Sequence, residues 1–171
     1  AKKFLVKAAN PDARVQAGWG NLPAESSGQK IFDSGAPWQL YCENGSYLFR
    51  FFSFALGSIP YKVARFSRDF SQGMVSLHRP HFDPAQIIYP LEYPLDELLL
   101  INLLALDRGV EIHACGVVDA SGRGHLFVGQ SEAGKTTMAR LWQNVPRVKV
   151  LSDDRIILRK LKGKFCMYGT P

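Results

Sequence analysis

The sequence predicts an α/β chain: a mainly antiparallel β unit over residues 1–93, a joining helix over 94–109, and a strand–loop–helix–strand core over 110–171. Three observations carry this reading. Short runs of aromatic and β-branched residues, separated by turn signals, recur between Trp38 and Tyr89. A leucine-rich stretch opened by Pro94 breaks that rhythm. Beyond it, the apolar run Leu126-Phe127-Val128 meets a glycine-bounded loop and then a helix-forming run.

Residues 10–37 are rich in Pro, Gly, Ser, Asn and Asp and read as an irregular opening loop. Strands are expected at Trp38–Cys42, Tyr47–Phe54, Tyr61–Phe66, Met74–His78 and Gln86–Tyr89. Glu43-Asn44-Gly45 and Gly57-Ser58-Ile59-Pro60 are the clearest turns between them. Tyr47, Phe49 and Phe51 share one face of their strand, and Leu48, Phe52 and Phe54 the other, so this strand should be buried on both faces. Pro94 can open a helix because its missing N–H would be unpaired there, and Asp96 and Glu97 suit the positive end of the dipole. Leucine and isoleucine from Leu98 to Leu106 cover nearly the whole circumference, which predicts a buried helix closed by a left-handed Gly109.

In the last third, Val110–Val118 reads as a strand, Asp119–Gly124 as a turn and His125–Val128 as a returning strand. Lys135–Gln143 reads as a helix whose apolar face carries Met138, Ala139 and Trp142. Val148–Leu151 is a short strand ending in Ser152-Asp153-Asp154, and Arg155–Lys160 and Phe165–Tyr168 form a hairpin.

The loop between strand and helix matches GxxxxGK[ST], the Walker A pattern, in full: Gly129, Gln130, Ser131, Glu132, Ala133, Gly134, Lys135 and Thr136. Its glycines let successive backbone N–H groups turn toward one anion, and the helix behind adds partial positive charge. Lys135 would reach the β- and γ-phosphates of a nucleoside triphosphate, the Thr136 hydroxyl would bind Mg²⁺, and Thr137 extends the phosphate-binding set. Such a loop needs a carboxylate across from it, and Asp153 and Asp154 end the next strand at the matching end. One acid would hold the metal and the other face the attacking group, and the two could exchange roles.

The elements His113-Ala114-Cys115-Gly116, Leu126 to Thr136 and Leu151-Ser152-Asp153-Asp154, in this order and spacing, resemble the HPr kinase/phosphorylase family, which is related to the phosphoenolpyruvate carboxykinases. More closely, the chain is similar to HPr-kinase-like proteins of peptide-modification gene clusters. The resemblance covers residues 110–171 and is looser before them. It implies an α/β P-loop core, incomplete at the C-terminus because the family's chain continues well past the Asp-Asp hairpin while this one stops at Gly169-Thr170-Pro171. It implies ATP and Mg²⁺, and an ATP-dependent kinase, a phosphotransferase acting on a hydroxyl such as a serine of a small protein or peptide. Asp153 would accept the hydroxyl proton, Lys135 would steady the phosphates, Asp154 would help hold Mg²⁺, and His113 would sit near the phosphates. It also implies a homo-oligomer. Arg155, directly after the acids, is a further candidate phosphate contact. The competing reading is a nucleotide-binding regulatory or scaffold module that does no chemistry.

Composition narrows the alternatives. Hydrophobic residues at 46% and charged residues at 21% allow a packed core. A net charge of +6 suits an anionic partner such as a nucleotide and is too mild to argue for nucleic acid. Cys42, Cys115 and Cys166 form no CxxC pair, as expected for free thiols in a reducing, cytoplasmic setting. The most apolar stretch, Leu98–Leu106, is half the length of a membrane span, so no membrane partner is expected.

Overall fold

The computed structural model describes residues 10–35, 37–83, 85 and 87–170. The chain is mixed α/β and forms two compact units, one ending at Leu100 and the other beginning at Ile101.

The first unit holds a six-stranded sheet of β1 (Arg14–Trp19), β2 (Gln29–Asp33), β3 (Trp38–Glu43), β4 (Ser46–Phe51), β5 (Lys62–Phe66) and β6 (Gln72–Leu77). The order is β1-β6-β5-β4-β3-β2, antiparallel throughout except that β1 runs parallel to β6. Strand β4 sits centrally, and Leu48, Phe49, Arg50 and Phe51 are all buried, as expected for a strand covered on both faces. The register puts Phe49 and Phe51 opposite Leu40 and Trp38 on one side and Ala64 and Lys62 on the other. Phe66 and Phe70 complete that aromatic core. The Asn44-Gly45 turn joins β3 to β4 with both residues at positive φ, the two-residue geometry that matches strand twist.

Several expectations fail here. Residues 10–37 are no plain loop, because β1 and β2 lie within them. Both are edge strands with mostly exposed side chains, so they need no apolar run and leave no strong pattern. Strand β4 stops at Phe51 and not at Phe54, since Ser53 caps a 3-10 turn over Phe54–Leu56 by accepting from Ala55 N. Ile87–Tyr89 form no strand, and Gln86 lies outside the described residues.

Helix α1 spans Leu95–Leu104. It buries Leu95, Leu99 and Leu104 rather than its full circumference, and Ile101 is exposed. Asp107, not Gly109, takes the left-handed conformation beyond it. Gly109 answers a different need: a Cβ there would lie 2.4 Å from Leu158 O.

The second unit is built on β7 (Val110–Val118), with β8 (Gly124–Val128), β9 (Lys149–Ser152), β10 (Arg155–Leu161), β11 (Lys164–Gly169) and helix α2 (Lys135–Gln143). Gly116 pairs with Leu126 of β8 on one edge of β7 and with Ser152 of β9 on the other. Nearer the start of β7, His113 pairs with Arg155 of β10. Strands β9 and β10 therefore form one line of chain beside β7, interrupted at Asp153 and Asp154. Helix α2 packs on the face of β7 that carries Cys115 and Val117, through Ala139 and Trp142. On the opposite face Ile156 fills the space that Gly116 leaves. The β10–β11 hairpin turns through Lys162 and Gly163, both at positive φ.

Candidate functional site

Strands β8 and β9 flank β7 and run in the same direction, joined by the loop 129–134 and helix α2. Their C-terminal ends, Val128 opposite Ala114 and Ser152 opposite Gly116, lie at nearly the same level of β7. The loop after β8 and the acids after β9 consequently emerge side by side. A cavity of about 310 Å³ opens between them, lined by His113, Ser131, Glu132, Gly134, Lys135, Thr136, Thr137, Asp153 and Asp154. Of the candidates named from sequence, Gly129, Gln130, Ala133 and Arg155 do not line it.

The loop turns through Glu132 and Gly134, both at positive φ. Gly134 is the N-cap of α2 and its carbonyl accepts from Met138 N. Gly129 is small for another reason, as a Cβ would meet Ala133 Cβ at 2.7 Å. Ala133 N donates to Gln130 O, while the N–H groups of Ser131, Glu132, Gly134, Lys135 and Thr136 find no backbone acceptor among the described residues. Those donors, at the positive end of α2, form a concavity suited to an anion. Lys135 is buried and folds back, its Nζ donating to Gly129 O and Gln130 O at 2.8 Å each. The ammonium thus ties the first turn of the loop together.

The acids sit at a bend held by local bonds. Ser152 Oγ accepts from Asp154 N and Arg155 N, and Ala114 N donates to Asp154 O. His113 Nε2 lies 3.4 Å from Asp154 Oδ1, and Arg155 Nε 3.6 Å from Asp154 Oδ2. Asp154 is exposed, so these pairs orient its carboxylate more than they stabilise the fold. Asp153, by contrast, has no hydrogen-bonded or ion-paired side chain among the described residues. Its charge is felt by Cys115: burial first, and then Asp153, pushes that thiol's pKa up. Cys115 is sealed in the core.

The Thr136 hydroxyl with the carboxylates of Asp153 and Asp154 is a set of hard oxygen donors, the type Mg²⁺ prefers. Among the described residues no three His, Cys, Asp or Glu side chains converge to hold an ion by themselves. A Mg²⁺ shared with a bound polyphosphate needs only one or two carboxylates, so the residues present fit that ion.

The sequence reading passed over one structural couple at the other end of β7. Asp119 accepts from Ser121 Oγ and from His125 Nε2, and the His125 ring stacks on Trp142 at 5.4 Å. The Ser121 hydroxyl first, then His125, holds the Asp119 carboxyl far below its usual range. The couple fastens α2 to the β7–β8 turn. Its only trace in sequence is an Asp-Ala-Ser-Gly turn followed by a strand histidine.

No protein-family model matches the chain, and neither a curated protein nor a solved structure does. The likeness to the HPr kinases therefore rests on the residues quoted above. No helix among the described residues is long and apolar enough to cross a membrane.

Proposed function

We propose that the unit beginning at Ile101 is an HPr-kinase-like P-loop module that binds a nucleoside triphosphate, taken as ATP, with Mg²⁺ and transfers the γ-phosphoryl group to a hydroxyl, a serine of a protein or peptide. The observation that carries the reading is the shared cavity: the GxxxxGKT loop and the Asp153–Asp154 bend open onto it together. Phosphoryl transfer asks for little beyond positioning and charge neutralisation, and this arrangement supplies both.

Each residue has a task in this reading. The N–H groups of the loop and of the first turn of α2 bind phosphate oxygens. Lys135 exchanges its two carbonyl partners for phosphate contacts. Thr136 and Asp154 hold Mg²⁺, which when bound neutralises charge on the phosphates. Asp153 takes the proton of the attacking hydroxyl as the new O–P bond forms and the bond to the leaving diphosphate oxygen breaks. Asp153 rather than Asp154 is assigned that role because its carboxylate is not engaged by His113 or Arg155.

Calorimetric titration with MgATP, followed by transfer of labelled phosphate to serine peptides, tests the proposal. Lys135→Met should weaken nucleotide binding by about tenfold or more. Asp153→Asn should retain binding and lose transfer. Binding without transfer to any hydroxyl acceptor would favour the regulatory module instead, and no binding at all would reject both.

A further inference from the structure

A cavity of about 710 Å³ lies in the other unit, against the face of the six-stranded sheet that carries Gln39, Tyr41 and Arg50. That volume falls in the range of small-molecule sites. Arg50, which lines it, is 3% exposed, a cation taken almost wholly out of water. Its Nη2 donates to Pro23 O and Ala24 O, both at 2.7 Å. A guanidinium has five N–H bonds, and those two acceptors occupy the pair on Nη2. Nε and Nη1 have no protein acceptor among the described residues. They are not sealed away either, because among the described residues the one buried side-chain nitrogen or oxygen without a partner is His78 Nδ1. They are left to meet what enters the cavity that Arg50 lines.

The charges around Arg50 do not satisfy it. Asp33 lines the cavity but is already neutralised, with Lys30 Nζ at 2.9 Å, Gln39 Nε2 at 3.0 Å and Gly35 N at 3.1 Å. Glu25 stands exposed and makes no ion pair with Arg50. Aromatic rings wall the guanidinium, with Tyr41 and Phe52 centroids 5.8 and 5.3 Å from its carbon. A buried cation with unused donors and apolar walls selects an anion carried on an apolar body.

We infer that this cavity is a binding site for an organic carboxylate with an aromatic or other apolar body, its carboxylate seated on Arg50. The source could be a free aryl acid or the C-terminus of a peptide ending in an aromatic residue. The inference does not depend on the nucleotide reading, since no residue is shared between the two cavities.

The test is titration of the ¹⁵N-labelled protein with 3-phenylpropionate, with a tripeptide ending in Phe, and with the carboxamide of each. The expected result is that at least one acid binds, shifts the Arg50 Nε–H resonance, and exceeds its amide in affinity by about tenfold. The tripeptide alone binding identifies a chain terminus, and the free acid alone a small molecule. Arg50→Gln, if it folds as judged by circular dichroism, should abolish the preference for acid over amide. The acid–amide comparison on the unaltered protein stands even if that variant does not fold. Equal affinity of acid and amide, an unmoved Arg50 Nε–H signal, or no binding of either acid at millimolar concentration would overturn the inference.

Discussion

Replacing Gly116 by Ala places a methyl 2.4 Å from Ile156 Cδ1 and 2.9 Å from its Cγ1. Ile156 is fully buried, so its side chain has little room to swing aside. Over-packing of this kind costs about 1–3 kcal/mol, which is roughly a five- to 150-fold change in an opening equilibrium. Ile156→Val alone should cost about 0.5–1.5 kcal/mol through lost burial. Independent changes add within about 0.5 kcal/mol. These two should not, because valine lacks the Cδ1 atom that the new methyl strikes. The double variant should be more stable than the additive expectation by about 1 kcal/mol. Native-state hydrogen exchange at the β7 amides, including Ala114 N, whose bond to Asp154 O spans the acidic bend, reads this locally without requiring both units to unfold. Additivity within error, or a Gly116→Ala variant as protected as the parent, would refute the argument that Ile156 packs against the bare backbone of β7.

Two further glycines give a contrast: Gly169→Ala meets the Leu151 carbonyl at 2.4 Å, whereas Gly124→Ala meets only the end of the Met167 side chain, Cε at 2.5 Å, and a methionine can rotate aside. Thermal unfolding should show Gly169→Ala costing about 1–3 kcal/mol and Gly124→Ala clearly less. Carbon-detected titration of Asp119 should find its carboxyl ionised well below the ordinary 3.8. Since its folded pKa is depressed, the stability it contributes is fully present above the unfolded value and is lost only as pH falls through the lower folded value; Asp119→Asn should remove that part of the acid dependence and loosen the His125–Trp142 stack, seen in Trp142 emission. A maleimide should label Cys42 and Cys166, which are partly exposed, and spare Cys115 until the unit unfolds, with mass spectrometry of peptides as the readout.

Those residues also show where a sequence is informative. Helix α2 is legible to its end residues because Ala139 and Trp142 fall on one face and Gly134 marks its start. The Asn44-Gly45 turn is equally plain, since Asn and Gly are among the few residue types that accept two successive positive φ angles, whereas Lys162-Gly163 is marked by its glycine alone. Strands β1 and β2 are invisible because edge strands here bury little, and β1 joins the sheet by pairing with β6, far along the chain. Arg50 is readable as an oddity, a charge between Phe49 and Phe51, but its burial depends on the carbonyls of Pro23 and Ala24, which no local pattern announces. Likewise, Asp119 and His125 look like turn and strand residues until Trp142 comes over them.

The acidic pair shows why the bend itself matters. Along an unbroken strand beside β7, Asp153 would stand opposite Cys115 and face α2, and Asp154 would stand opposite Ala114 and face the side that Ile156 fills. A regular strand could offer only one of the two carboxylates to the loop after β8. The ladder instead stops at Ser152 and resumes at Arg155, and both acids line the cavity with Lys135 and Thr136. The Ser152 hydroxyl makes that interruption possible, accepting at 3.3 Å from the N–H groups of both Asp154 and Arg155. Ser152→Ala would leave both acids in the sequence while removing what turns them together. In the proposed kinase, such a variant should therefore lose more of its transfer rate than its affinity for the nucleotide, because the loop holds the phosphates and the bend aims the base.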